Sequence, residues 1–182
     1  FLNRGMRVAY VDIDAHHGDG VQEAFYDDDR VLTISVHESG QYLFPGTGAV
    51  AELGEGAGKG YSVNLPLFPY TGDDDYIRAF SQVVPRLVRA FAPDVLVAQL
   101  GIDSYHSDPL THLQLTTEGY TEAVRQLVGL GLPLLALGGG GYDVNAVARA
   151  WTLAYGVMLG VEWPDQLPFG FAQEHGGGRL RD

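Results

Sequence analysis

The segment DIDAHHGDG, residues 12–20, closes an apolar run and sets Asp12, Asp14 and His16 at alternate positions. In an extended chain, side chains at i, i+2 and i+4 point to one side, so these three converge. A second apolar run ends in QLGIDSYHSDP, where Asp103 follows at once and Asp108-Pro109 opens a turn. A third ends in LGGGGYD, four glycines ahead of Tyr142. Two aspartates and a histidine make a sensible catalytic set for a divalent ion, because three protein ligands leave a fourth position for water or substrate. Zinc suits such a set first, with ferrous iron as the alternative. The competing reading is that Asp12, Asp14 and His16 only cap a loop and pair with one another. It accounts for one acid at a strand end better than for three on one side of an apolar strand with a fourth after another.

The elements that must position these residues are legible in the hydrophobic pattern. Apolar, β-branched runs at residues 7–13, 31–36, 61–67, 94–100 and 132–137 read as strands, several of them apolar on both faces. Continuous apolarity suits a parallel sheet covered by helices on both sides. Helical patterns lie at 20–26, 73–91, 117–130 and 144–159. The second opens with three aspartates that complement the helix dipole, and the third with Thr116, Thr117 and Glu118 as capping chemistry. Pro85 inside the second predicts a kink or break. Alternating strands and helices give an α/β class, and in such sheets function sits beyond the carboxyl ends of the strands, where all three motifs fall.

Composition narrows the chemistry further. With 182 residues, 46% hydrophobic and 19% charged, the chain suits one globular domain with a sizeable core. A net charge of −12 makes nucleic acid or an anionic membrane surface a poor partner and a cationic substrate a better one. The absence of cysteine removes disulfides, thiolate nucleophiles and thiolate ligands and fits a cytoplasmic location. No apolar run approaches the roughly 20 residues a membrane span needs, and the opening residues lack the pattern of a signal peptide. GEGAGKG at 54–60 reads as a flexible connection, since it lacks the spacing and hydroxyl residue of a phosphate loop. Residues 1–163 are expected to form the domain and 164–182 an irregular tail, with His175 a solvated residue in it.

At DIDAHHGDG the sequence resembles the histone deacetylase superfamily. YDDDRVLTISVHESGQYLFPGTG, YSVNLPL, LGIDSYHSDPLTHL and GGGGYD extend the resemblance from about Arg7 to Gly160. The match is most like the bacterial acetoin-utilisation deacetylases, with the class I type of active site. The resemblance implies an arginase-like three-layer αβα fold around a central parallel sheet, with zinc at the strand ends. Carried over by motif, Asp14, His16 and Asp103 are the zinc ligands. Tyr142 donates its hydroxyl to the acetyl oxygen, and the glycines before it, Gly140 among them, bring backbone close to the substrate. Phe44 forms a wall of the acetyl-lysine channel, and Leu110 lies near its floor or rim. A structural potassium ion takes Asp12, the backbone oxygens of Asp14 and His16, Ser35 and the carbonyl of Val36. The implied reaction is attack of metal-activated water on the amide of an acetylated lysine or a small acetylated amine. Arginase-type ureohydrolases carry carboxylates for a second metal where this chain has Gly18 and Tyr105, so a mononuclear site is favoured.

The family also uses a tandem histidine pair, as general base and acid, upstream of the first motif, and Asp12 and Asp19 orient it. This chain has six histidines, at 16, 17, 37, 106, 112 and 175, and none matches that pair. His17 points away from His16 along an extended chain and reads as a structural hydrogen-bonding residue. The chain is therefore expected to be the C-terminal part of a larger catalytic domain. The alternative is a metal-binding or acetyl-lysine-binding module without turnover.

Overall fold

The computed structural model describes residues 1–175 and 177–182. Five strands form one parallel sheet: β1 (Val8–Asp12), β2 (Val31–Glu38), β3 (Ser62–Leu67), β4 (Val95–Gln99) and β5 (Leu134–Leu137). Their order is β3-β2-β1-β4-β5. The chain steps outward from β1 to β2 and β3, then returns to the other side of β1 for β4. The switch point thus falls between β1 and β4, where an open parallel sheet leaves a crevice at its carboxyl edge. Asp12 is level with Ser35 on one side and Gln99 on the other.

Crossover handedness assigns the helices to faces. Right-handed connections put the helix of a leftward step and that of a rightward step on opposite faces. Accordingly α1 (Asp19–Ala24) covers one face, while α2 (Asp73–Phe91), α3 (Thr117–Val128) and α4 (Val144–Leu159) share the other, with α3 packed between α2 and α4. The three-layer arrangement expected from the sequence is present, and its layers are unequal. The larger layer buries Tyr76, Phe80, Val84 and Val88 of α2 and Tyr120, Val124 and Leu127 of α3 against Val11, Ile34 and Leu96 of the sheet. On the α1 side a small cluster of Val8, Val31 and Val95 packs with Leu2, Met6, Phe25 and Val97, and Leu135 and Leu137 remain exposed.

Three expectations are corrected. Helix α2 runs unbroken through Pro85, which is buried; packing of the apolar stripe outweighs the lost backbone hydrogen bond. The glycine segment at 54–60 is a packed turn: a Cβ at Gly58 would stand 2.5 Å from the Tyr26 carbonyl oxygen, and Gly60 N donates to Leu53 O at 2.6 Å. Its glycines permit backbone contact and do not confer looseness. The tail is likewise structured. It contains α5 (Phe169–His175), Leu180 is buried, and Asp182 accepts from the Thr117 amide at 2.8 Å and is bonded to Arg149 at 2.7 Å. A carboxylate against the first turn of α3 complements that helix dipole. The side chain of His175 lies outside the described residues. Among the described residues no helix is long and apolar enough to cross a membrane.

Candidate metal centre

The motif residues meet at the switch point. Asp14 and His16 leave β1, Asp103 follows β4, and among the described residues they form the one group of three whose ligand atoms could hold a metal, all within 4.8 Å of one another. His16 Nδ1 lies 2.8 Å from Asp103 Oδ2 and 3.2 Å from Asp14 Oδ1. A tetrahedral site with bonds of about 2.0–2.2 Å separates its ligand atoms by roughly 3.3 Å, so a small outward movement of these side chains fits zinc.

Backbone and side-chain donors fix each ligand. Asp14 Oδ2 accepts from the Gly140 amide at 2.7 Å and from Gln99 Nε2 at 2.9 Å, leaving Oδ1 for His16. Asp103 Oδ1 accepts from the Ala15 amide at 2.7 Å, which leaves Oδ2 inward. Asp12 stands behind, accepting from the Asp14 amide at 3.0 Å and from the Tyr10 hydroxyl at 2.7 Å. The glycines are required by proximity: a Cβ at Gly140 would lie 2.2 Å from Asp103 Oδ2, one at Gly101 2.3 Å from Asp14 Oδ2, and one at Gly18 2.7 Å from Asp12 Oδ2.

Three carboxylates and one imidazole share this space, and their titration reflects it. Burial pushes Asp12 up to about 7 against the pull of the Tyr10 hydrogen bond. Burial also raises Asp103 to about 6, with the Asp14 charge acting the same way. At Asp14 burial works upward too, but hydrogen bonds from His16 and Gln99 outweigh it and hold the carboxyl well below its usual range. Hydrogen bonds to Asp103 and Asp14 push His16 up to about 10. The arrangement therefore stabilises positive charge where the three donor atoms meet. An imidazolium supplies it; a divalent cation supplies it with the imidazole neutral and ligating.

The remaining residues named from the sequence differ in their surroundings. Tyr142 is half exposed, and burial together with the charges of Asp103, Asp14 and Asp108 raises its hydroxyl pKa, so it lies within electrostatic reach of the cluster. Phe44 is 78% exposed and Leu110 is 52% exposed. Ser35 lies level with Asp12, and its Oγ is 2.8 Å from His37 Nδ1; Val36 is fully buried. Asp19 is exposed at the start of α1 and accepts from the Gly20 amide at 2.8 Å; its carboxylate has no hydrogen bond to the centre among the described residues. Tyr105 points away, donating to Asp182 Oδ1 at 2.5 Å.

The sequence does not show the roles of Gln99, His37 and Glu38, nor the bond of the turn-opening Asp108 to Tyr142. Gln99, a polar residue ending an apolar strand, spans Asp14 and the Gly101 amide, the latter at 2.6 Å. Its polarity in VLVAQL was the available signal. His37 is buried, with Nε2 3.1 Å from the Gly48 carbonyl, while His17 holds Thr47 Oγ1 at 2.8 Å and Gln22 Oε1 at 3.1 Å. The two histidines thereby tie the loop bearing Phe44 to the base of the centre. Glu38, buried, joins this side to the loop bearing Leu110 through the His112 amide at 2.7 Å and His112 Nδ1 at 2.9 Å. Asp108 ties the Leu110 loop to Tyr142.

Comparison with known proteins agrees with the motifs. Residues 2–158 match the model of the histone deacetylase domain. The chain is 45% identical to histone deacetylase 9 of Arabidopsis thaliana, covering 92% of this chain and 39% of that protein. It is 45% identical to human histone deacetylase 1, covering 92% and 35%, and 45% identical to the acetoin utilization protein AcuC of Bacillus subtilis, covering 89% and 43%. The chain thus spans less than half the length of each of these relatives. Among solved structures, an HDAC homolog from Aquifex aeolicus superposes with a TM-score of 0.91 at 36% identity, over 100% of this chain and 54% of that one. A structure of an HDAC homolog complexed with SAHA superposes equally, at 35% identity.

Proposed function

This chain belongs to the histone deacetylase family, and we propose that it carries the metal-binding half of a zinc-dependent site that removes acetyl groups from acetylated lysine or a small acetylated amine. The observation that carries the reading is the convergence of Asp14 Oδ1 and Asp103 Oδ2 on His16 Nδ1, at 3.2 and 2.8 Å, with Tyr142 in reach of the same charges.

In this reading Asp14, His16 and Asp103 hold zinc, and ferrous iron suits the same donors. Zinc, when bound, supplies a Lewis acid for the acetyl carbonyl and lowers the pKa of a water it holds to roughly 7. Gln99 and the Gly140 amide keep Asp14 ionised and oriented. Tyr142 donates its hydroxyl to the acetyl oxygen as negative charge develops there; its raised pKa keeps that proton in place at neutral pH. Phe44 and Leu110 flank the lysine side chain, and Gly140 lets backbone approach it. Asp12, Ser35 and the carbonyl of Val36, with the backbone oxygens of Asp14 and His16, are assigned to a structural potassium ion. Asp19 and Asp12 are assigned to orienting a histidine pair outside this chain. A cytoplasmic location, taken from the lack of cysteine, belongs to the same proposal.

A second reading rests on the histidines themselves. His17 and His37 are turned into the Phe44 loop and His112 toward Glu38, so among the described residues no imidazole beyond the ligand His16 is bonded to the centre. The chain by itself would then bind metal and acetyl-lysine without turning it over. Zinc content and hydrolysis of an acetyl-lysine peptide, measured for this chain and for the full-length product of its gene, separate the two. Turnover by the longer protein alone supports the deacetylase. Turnover by neither, with one zinc per chain, leaves the binding module, and failure to retain zinc refutes both.

A further inference from the structure

Outside the three ligands, the loop from β4 to α3 holds a carboxylate whose two oxygens serve two different segments. Asp108 is 7% exposed. Its Oδ1 accepts from the Leu110 amide at 2.9 Å and its Oδ2 from the Tyr142 amide at 2.8 Å. The first bond is a local turn of the Asp-Pro type. The second reaches across 34 residues to another strand end.

That second bond holds the first residue after a glycine run, itself anchored at Gly140, whose amide donates to Asp14 at 2.7 Å and whose carbonyl accepts from the Ile102 amide at 2.7 Å. Tyr142 follows Gly138 to Gly141, four residues with no side chain to pack, and Gly141 has φ 146, a conformation that other residues rarely adopt. Tyr142 is itself 52% exposed, so packing constrains it only in part. Two neighbouring bonds brace the same junction. Ser107 Oγ donates to Asp143, the N-cap of α4, and Thr111 Oγ1 donates to the carbonyl of the ligand Asp103. The loop thus registers Asp103, Leu110 and Tyr142 against one another.

We propose that Asp108 is a positioning residue for Tyr142, setting the reach of the tyrosine hydroxyl toward the metal centre through its backbone amide. The inference rests on the role of Tyr142 proposed above. Misplacing a reacting group by about 1 Å can cost on the order of 100-fold in rate, so Asp108→Ala is expected to lower kcat by about 10- to 100-fold with KM changed far less. Asp108→Asn keeps one acceptor oxygen where two are needed, and an intermediate loss is expected. Because Asp108 acts through Tyr142, its removal in a Tyr142→Phe background should cost no more than about twofold, the signature of coupled residues.

The test uses the full-length, zinc-loaded protein. The four kinetic constants of the Asp108→Ala, Tyr142→Phe cycle are measured with an acetyl-lysine peptide, and hydrogen exchange at the Tyr142 amide is followed in wild type, Asp108→Asn and Asp108→Ala. Losses that do not add, with faster Tyr142 exchange, support the proposal. Multiplicative losses, or Tyr142 exchange that stays at the wild-type rate, overturn it. Should the wild-type protein hydrolyse nothing, the deacetylase reading fails, while the exchange rate still decides whether Asp108 holds Tyr142. Asp108→Asn, nearly isosteric, serves where the alanine variant does not fold.

Discussion

Replacing Gln99 by Met should weaken zinc binding by about 10- to 100-fold without touching a ligand. The side chain keeps its length and volume and loses two bonds, Nε2 to Asp14 Oδ2 at 2.9 Å and Oε1 to the Gly101 amide at 2.6 Å. A hydrogen bond to a charged group contributes about 1.5–3 kcal/mol, and a factor of ten in affinity is about 1.4 kcal/mol. Loss of the Asp14 bond alone therefore corresponds to roughly 10- to 150-fold, in line with the 10- to 100-fold typical when a partner of a metal ligand is removed. The Gly140 amide still holds the same oxygen at 2.7 Å, which argues for the lower part of that range. Competition with a chromophoric chelator at pH 7 gives the affinity, and thermal unfolding of the metal-free protein shows whether the fold is intact. Affinity within threefold of wild type, in a folded variant and with Asp14→Asn abolishing binding, would refute the idea that Gln99 holds Asp14 for the metal.

Tyr142→Phe should leave zinc affinity within about twofold and lower kcat by about 10²–10³, as expected for loss of one oxyanion donor; steady-state kinetics with zinc-content measurement checks both. Phe80→Ala, at a fully buried position of α2, should destabilise by about 3–5 kcal/mol in urea unfolding. His37 gives a pH signature: burial and the neighbouring His17 lower it from 6.5 to about 4. Between those values the unfolded chain takes up a proton that the folded chain does not. The contribution of a neutral His37 is thus complete above about pH 6.5 and falls by about 3 kcal/mol as pH drops to 4. Urea unfolding of wild type and His37→Asn across this window should show the gap between them shrinking toward acid; a constant gap would contradict the assignment.

The alternation of apolar runs and amphipathic segments was enough to locate all five strands and the first four helices, because burial on both faces and a 3.6-residue stripe leave direct marks in residue order. The tail is held by a buried Leu180 and by Asp182 on Thr117 and Arg149, contacts that residue order does not show, and the turn at 54–60 hides its packing in its glycines. Glycines look alike whether they loosen a chain or admit a close backbone, and only the Tyr26 carbonyl beside Gly58 distinguishes the cases. Pro85 shows the same limit from the other side, since its local cost is visible in sequence and the packing that overrides it is not.

At the centre, Asp12, Asp14 and His16 were legible as chemistry-bearing residues at alternate positions closing an apolar run; the strand itself ends at Asp12, and the bends of residues 14–16, not an extended chain, bring His16 Nδ1 to Asp14 Oδ1. Asp103 was legible as an acid closing a second apolar run and took its ligand role from the family motif; the pairing of β1 with β4 is what puts it beside them, Asp12 standing level with Gln99. Gln99, Glu38, His37 and Asp108 act through partners 11 to 85 residues away, and nothing in local pattern encodes such pairs. Residue order by itself determined which groups can bind a cation and which elements carry them. Sheet order, a property of long-range strand pairing, decided that those elements meet, and the loops between them decided which hydrogen bonds hold the groups in place.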